Sequence, residues 1–245
     1  MDVSSFRIRE KEAEDWLSSN FPRLFDLYQW SNKGDPKNYF NCKALLPIAY
    51  LGVESYAQLE KTLARLDSAA WENLRDKALP YVTVDDPVRR YQQLFSALDE
   101  ARGYAFLADE GYERIEFIKP NKNKEGDRKS PDLSATRGGL IAILEVKTFN
   151  ESDPSLGPDA PWRQEATKVR QDLSDEFKAK LVSTIEQARK QLNGWPHASD
   201  RKIVLLVVRF DIGQKTSAQS YAELESFIAS QPMQDGIEVY HQATY

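Results

Sequence analysis

Three side chains in the middle of the chain have the types and spacing for metal-assisted chemistry: Asp132, Glu145 and Lys147. They lie within residues 130–150, SPDLSATRGGLIAILEVKTFN. Residues 140–146 (LIAILEV) are apolar at both phases of a period-2 pattern, which reads as a strand covered on both faces inside a sheet. Arg137-Gly138-Gly139 just before it offers the positive-φ positions of a tight hairpin turn, so residues 131–136 form the partner strand. With the two glycines at the centre of the turn, the antiparallel register sets Asp132 opposite Glu145. Lys147 then falls on the same face, two residues on. Carboxylates facing each other at the end of a buried strand repel, and they are costly to desolvate. A divalent cation between them, with an ammonium beside it, removes both objections. Their hard oxygens suit Mg2+, with Mn2+ as a substitute.

Residues 86–245 supply the elements that must position these groups. Asp86-Pro87 has the form of an N-cap followed by proline at the first helical position, and it predicts a helix over 86–109. Tyr91, Leu94, Phe95, Leu98, Ala101, Ala105 and Ala108 form its apolar stripe, and Gly111 its stop. Glu100 lies on the flank of that stripe with Ala97, Tyr104 and Leu107, where it can turn toward a sheet. A strand over 114–118, a polar loop over 120–129 and, past the hairpin, a long linker over 151–171 follow. The pattern then predicts a helix over 173–193, a doubly buried strand over 202–210, a helix over 220–229 and a short edge strand over 237–240.

Residues 1–85 read as a separate helical subdomain. Pro22 breaks an early amphipathic stretch, Ser55 to Gln58 has capping-box spacing, and Asp67-Ser68 caps the helix after that. Residues 30–42 read as a loop. The aromatics here, including Trp16, Phe21, Phe25, Tyr28, Trp30, Tyr39, Phe40, Tyr50, Tyr56 and Trp71, are read as core in preference to a base-stacking surface.

From residue 86 on, the order helix, strand, strand, strand, helix, strand, together with Pro131-Asp132 and Glu145-Val146-Lys147, resembles the PD-(D/E)xK nuclease superfamily. A second match to the letters, Pro158-Asp159 with Glu176-Phe177-Lys178, has no turn between its halves and puts its Glu-x-Lys in a helical stretch. The resemblance implies an α/β fold with a restriction-endonuclease-like αβββαβ core, its mixed central sheet flanked by helices, plus the N-terminal helical region. It implies a metal-dependent nuclease acting on DNA ahead of RNA, with Mg2+ held by Asp132, Glu145 and the Val146 backbone carbonyl, and Lys147 catalytic. An acidic residue on the first helix, Glu100 with Asp99 second, and a glutamine on the helix after the lysine strand, Gln187 or Gln191, follow from the same resemblance. A homodimer is the natural arrangement for cutting both strands of a duplex, although no stretch marks an interface.

Composition limits the remaining possibilities. A formal charge of -5 argues against broad nucleic-acid affinity. It leaves room for a local basic groove, since Lys119, Lys122, Lys124, Arg128, Lys129 and Arg137 cluster around the hairpin, where a solvated loop is the plain alternative to phosphate contact. The single cysteine, Cys42, rules out an intrachain disulfide or a cysteine-built zinc site. The two histidines, His197 and His241, are remote from the hairpin in sequence and support neither a histidine-ligated metal nor a Ser-His triad. No apolar run is long enough to span a membrane and the start resembles no targeting segment, so no membrane partner and a cytoplasmic location are expected. Two classes of function remain: a nuclease, and a nuclease-fold module that binds nucleic acid or protein without cutting.

Overall fold

The computed structural model describes residues 3–41, 54–86, 90–119, 130–150, 173–209, 218–230 and 235–244. The chain divides into two compact units, Met1–Ala105 and Phe106–Tyr245. The division falls inside a helix, whereas the sequence places a boundary ahead of that helix, between residues 85 and 86.

The first unit is helical. It comprises α1 (Val3–Asn20), α2 (Pro22–Trp30), α3 (Glu54–Leu63), α4 (Ser68–Ala78) with a 3-10 turn over Leu79–Tyr81, and most of α5 (Gln92–Asp109). Phe21 cannot cap α2, so the buried carboxylate of Glu60 on α3 does it, accepting the N–H groups of Arg23 (2.8 Å) and Leu24 (3.0 Å). Asp67 caps α4 as its position implies, accepting the Ala70 N–H at 2.8 Å. One expected cap fails, because Ser55 lies inside α3. Asp86 forms an isolated bridge with Arg90 through reciprocal backbone bonds of 3.2 and 2.7 Å. Arg90 sits at φ 52, outside the right-handed helical region, and α5 begins at Gln92; residues 87–89, on which the Asp86-Pro87 turn would fall, lie outside the described residues. Phe21, Tyr28, Tyr39, Phe40 and Trp71 are core as expected, whereas Trp16 and Trp30 are exposed.

The second unit opens with the end of α5. Gly111 at φ 78 ends the helix in a Schellman motif: the Tyr112 N–H reaches the Leu107 carbonyl and the Gly111 N–H the Ala108 carbonyl. Then come β1 (Glu113–Phe117), β2 (Leu133–Arg137), β3 (Leu140–Asn150), α6 (Asp175–Asn193), β4 (Arg201–Arg209), α7 (Ala218–Ser230) and β5 (Ile237–Thr244). They build one mixed sheet in the order β1-β2-β3-β4-β5, antiparallel from β1 to β3 and parallel from β3 to β5. The second Glu-x-Lys, at Glu176, lies in the first turn of α6.

On one face Ile143, Phe149, Val204, Leu206 and Val208 pack with Phe177, Leu181 and Ile185 of α6 and Leu224 and Ile228 of α7. Ala142, Leu144, Ile203, Leu205 and Val207, at the opposite phase, are buried too, so β3 and β4 are covered on both faces as their patterns require. The apolar run of β3 overstates this at one end, because Leu140 and Ile141 are exposed beside the turn. The strand extends to Asn150 because β4 pairs with it as far as Asn150↔Arg209. β5 is likewise longer than expected, held in register along β4 despite its polar second half. Among the described residues no helix is long and apolar enough to cross a membrane.

Candidate active site

The β2–β3 hairpin sets the geometry. Gly138 and Gly139 have φ of 58 and 87, as a two-residue type I′ turn requires. Pairing runs from Arg137↔Leu140 to Leu133↔Leu144 and stops there: the Asp132 N–H turns back to Leu144, the partner of Leu133, so Asp132 is bulged out of the register that would set it directly opposite Glu145, although its charge still acts on Glu145. Asp132 is pinned through its backbone on both sides: its N–H donates to the Leu144 carbonyl (3.1 Å) and its carbonyl accepts the Ile118 N–H (2.9 Å). Its Oδ2 accepts the Val146 N–H at 2.9 Å. A strand residue's N–H and C=O leave the strand on the same side, so the Val146 carbonyl is also turned toward the side where Asp132 sits.

Glu145 is buried beneath this pair at 2 % exposure. Burial pushes its carboxyl up to about 8, the charge of Asp132 pushes the same way, and Lys147 opposes both. The Lys147 ammonium donates to Glu145 Oε1. Gln191, in the last turn of α6, donates its amide N–H to Glu145 Oε2 at 2.8 Å and also to the Ser130 carbonyl. Its amide oxygen lies 3.4 Å from Lys147 Nζ. Asp132, Glu145, Val146, Lys147 and Gln191 therefore come together, with the Ser130 carbonyl as a backbone tie point.

Glu100 belongs to the first unit, where it is buried and held by Lys77 at 2.5 Å, and Asp99 beside it pairs with Arg102. No local sequence signal announced Lys77, whose partner is on another helix. Arg137 sits at the turn end of β2, a strand length or roughly 17 Å from Asp132. There its guanidinium donates to the Glu110 carbonyl (2.6 Å) and lies over the Tyr112 ring, so it does not join the carboxylates. Gln187, one turn before Gln191, is exposed and outside the cluster. Lys122, Lys124 and Lys129 lie outside the described residues, as does Cys42. His197 is exposed in a loop, and His241 lies on β5 with its pKa lowered by burial.

A divalent cation suits this donor set. A buried carboxylate driven up by desolvation and by a second carboxylate is short of positive charge, and Mg2+ is commonly held by one or two carboxylates with water completing its shell. Among the described residues no three His, Cys, Asp or Glu side chains group as a metal set. The protein ligands would thus be Asp132, Glu145 and the Val146 carbonyl. No family model, no curated protein and no solved structure matches the chain.

Proposed function

We propose that the chain is a metal-dependent nuclease that hydrolyses phosphodiester bonds, in DNA ahead of RNA. One observation carries the reading: the β2–β3 hairpin brings Asp132 and Lys147 close enough to act on Glu145, whose carboxyl is buried. Phosphodiester hydrolysis needs a nucleophilic water and neutralisation of the charge that develops on phosphorus oxygens. A bound Mg2+ would supply Lewis-acid stabilisation and make a water more acidic. Asp132 is fixed by its backbone and by Val146, so its carboxylate is pre-positioned at no cost during the reaction. The Lys147 ammonium, beside Glu145, orients the attacking water or a phosphate oxygen. Lys122, Lys124 and Lys129 are the phosphate contacts in this reading, and Glu100 enters it only through the superfamily resemblance.

The test is cleavage of labelled single-stranded, double-stranded and branched DNA, and of RNA, with Mg2+, Mn2+ or EDTA. Wild type should cut with metal, and Lys147→Ala should lose at least about a hundredfold in rate. Thermal stabilisation by Mg2+ should accompany it and vanish in Asp132→Ala. A second reading has one observation in its favour: both Glu145 oxygens already have donors, Lys147 and Gln191, as in a purely structural ion cluster. The chain would then be a binding module. Absence of cutting on every substrate, with identical metal responses in wild type and Asp132→Ala, would select it.

A further inference from the structure

The nuclease reading leaves open what holds the cluster together before a cation arrives. Glu145 Oε1 is taken by the Lys147 ammonium and Oε2 by the Gln191 amide. The amide is itself anchored at the Ser130 carbonyl, and its oxygen lies 3.4 Å from Lys147 Nζ. Lys147 of β3 and Gln191 of α6 thus flank the buried Glu145 carboxyl, to which the Asp132 side chain is hydrogen-bonded as well.

Resting on that reading, we infer that Lys147 and Gln191 form a latch on Glu145 that competes with the divalent cation and is handed over when the cation binds. The two donors stand where a cation would draw charge from Glu145, and a carboxylate oxygen taken by a cation has no room for a full-strength ammonium contact. Like charges also repel: a lysine ammonium a few ångströms from a divalent ion is unfavourable in a partly dehydrated site. Lys147 must therefore give up Oε1, and the Gln191 amide oxygen, already 3.4 Å from its Nζ, can receive it. Gln191 is held from the other side by Ser130, so it stays in place as Lys147 transfers. In the resting state the pair stabilises a buried carboxylate. In the loaded state Gln191 is a positioning residue that keeps the released ammonium at the site.

The latch makes a prediction opposite to that of a lysine that assists metal binding. Isothermal titration of Mg2+ and Mn2+ into wild type, Lys147→Met and Gln191→Leu, each checked for folding by circular dichroism, should show tighter binding in Lys147→Met, and a smaller gain or none in Gln191→Leu, which loses a resting donor and the acceptor of the released ammonium together. The gain in Lys147→Met should be roughly tenfold or more. Equal or weaker binding in Lys147→Met would overturn the latch while leaving the nuclease reading intact. No metal binding by any of the three proteins, together with no cleavage by wild type, would sink the nuclease reading itself. A second readout needs only folded wild type: the 15N-detected ammonium resonance of Lys147, identified by its loss in Lys147→Arg, should shift on Mg2+ saturation. A resonance unmoved at saturating Mg2+ would mean that the ammonium never leaves Glu145.

Discussion

Glu145 is the residue on which pH dependence turns. Its folded-state carboxyl sits at about 8 against an ordinary 4.5, for reasons of burial first and Asp132 second. An acid whose pKa rises on folding contributes stability that is fully present below its unfolded value and is lost as pH climbs through the folded value. In EDTA, the melting temperature of wild type should therefore fall between about pH 5 and pH 8 relative to Glu145→Gln, which has no proton to lose there. Parallel curves for the two proteins would contradict the burial argument. The burial was legible in the sequence, because LIAILEV leaves no polar face for Glu145 to occupy. Its donors were legible only in part. Gln187 and Gln191 are one helical turn apart and share a face, so periodicity cannot choose between them, and only the height of α6 against β3 does.

At the scale of the element, the hairpin carries the design, and its register follows from two glycines. No atom lies within 4 Å of a Cβ added at either, so the penalty for substitution is one of backbone conformation alone. Gly138, at φ 58, is in the left-handed region that asparagine tolerates, whereas Gly139, at φ 87, is harder on any L-residue. Urea denaturation should find Gly138→Asn close to wild type and Gly139→Ala less stable by about 1–2 kcal/mol. Equal losses from both would mean that the turn does not pin the register. Strand ends were harder to read than strand centres. The polar tail of β5 and the last residues of β3 are strand because a neighbour pairs with them, which is tertiary information.

For the whole molecule, the instructive feature is that α5 is shared between the two units. The helix and the residue before it are tied to the rest of the first unit: Tyr91 and Phe95 pack on Tyr39 at 4.9 and 5.2 Å, Tyr91 donates to the Lys37 carbonyl, and Tyr104 donates to Asp67. A cut between residues 85 and 86, the boundary set by Asp86-Pro87, separates the buried Leu94, Leu98 and Ala101 from the rest of the compact unit they belong to. Residues 86–245 expressed alone should elute as aggregate on size exclusion, under conditions that keep the full chain dispersed. A monodisperse fragment with a cooperative melt would show that α5 belongs wholly to the second unit. Sequence could not reveal this, since one continuous apolar stripe gives no sign that its two ends serve different cores.

The mixed sheet has a consequence for the order in which the chain assembles. The hairpin joins residues a few positions apart and can close in microseconds, whereas β3 meets β4 across about sixty residues, a slow encounter. Asp132 and Glu145 are thus brought together while water still screens them. Only later does the arrival of β4 and α6 strip that water away, and the same arrival delivers Gln191. The electrostatic strain of the site and the amide that relieves it enter the fold in one step.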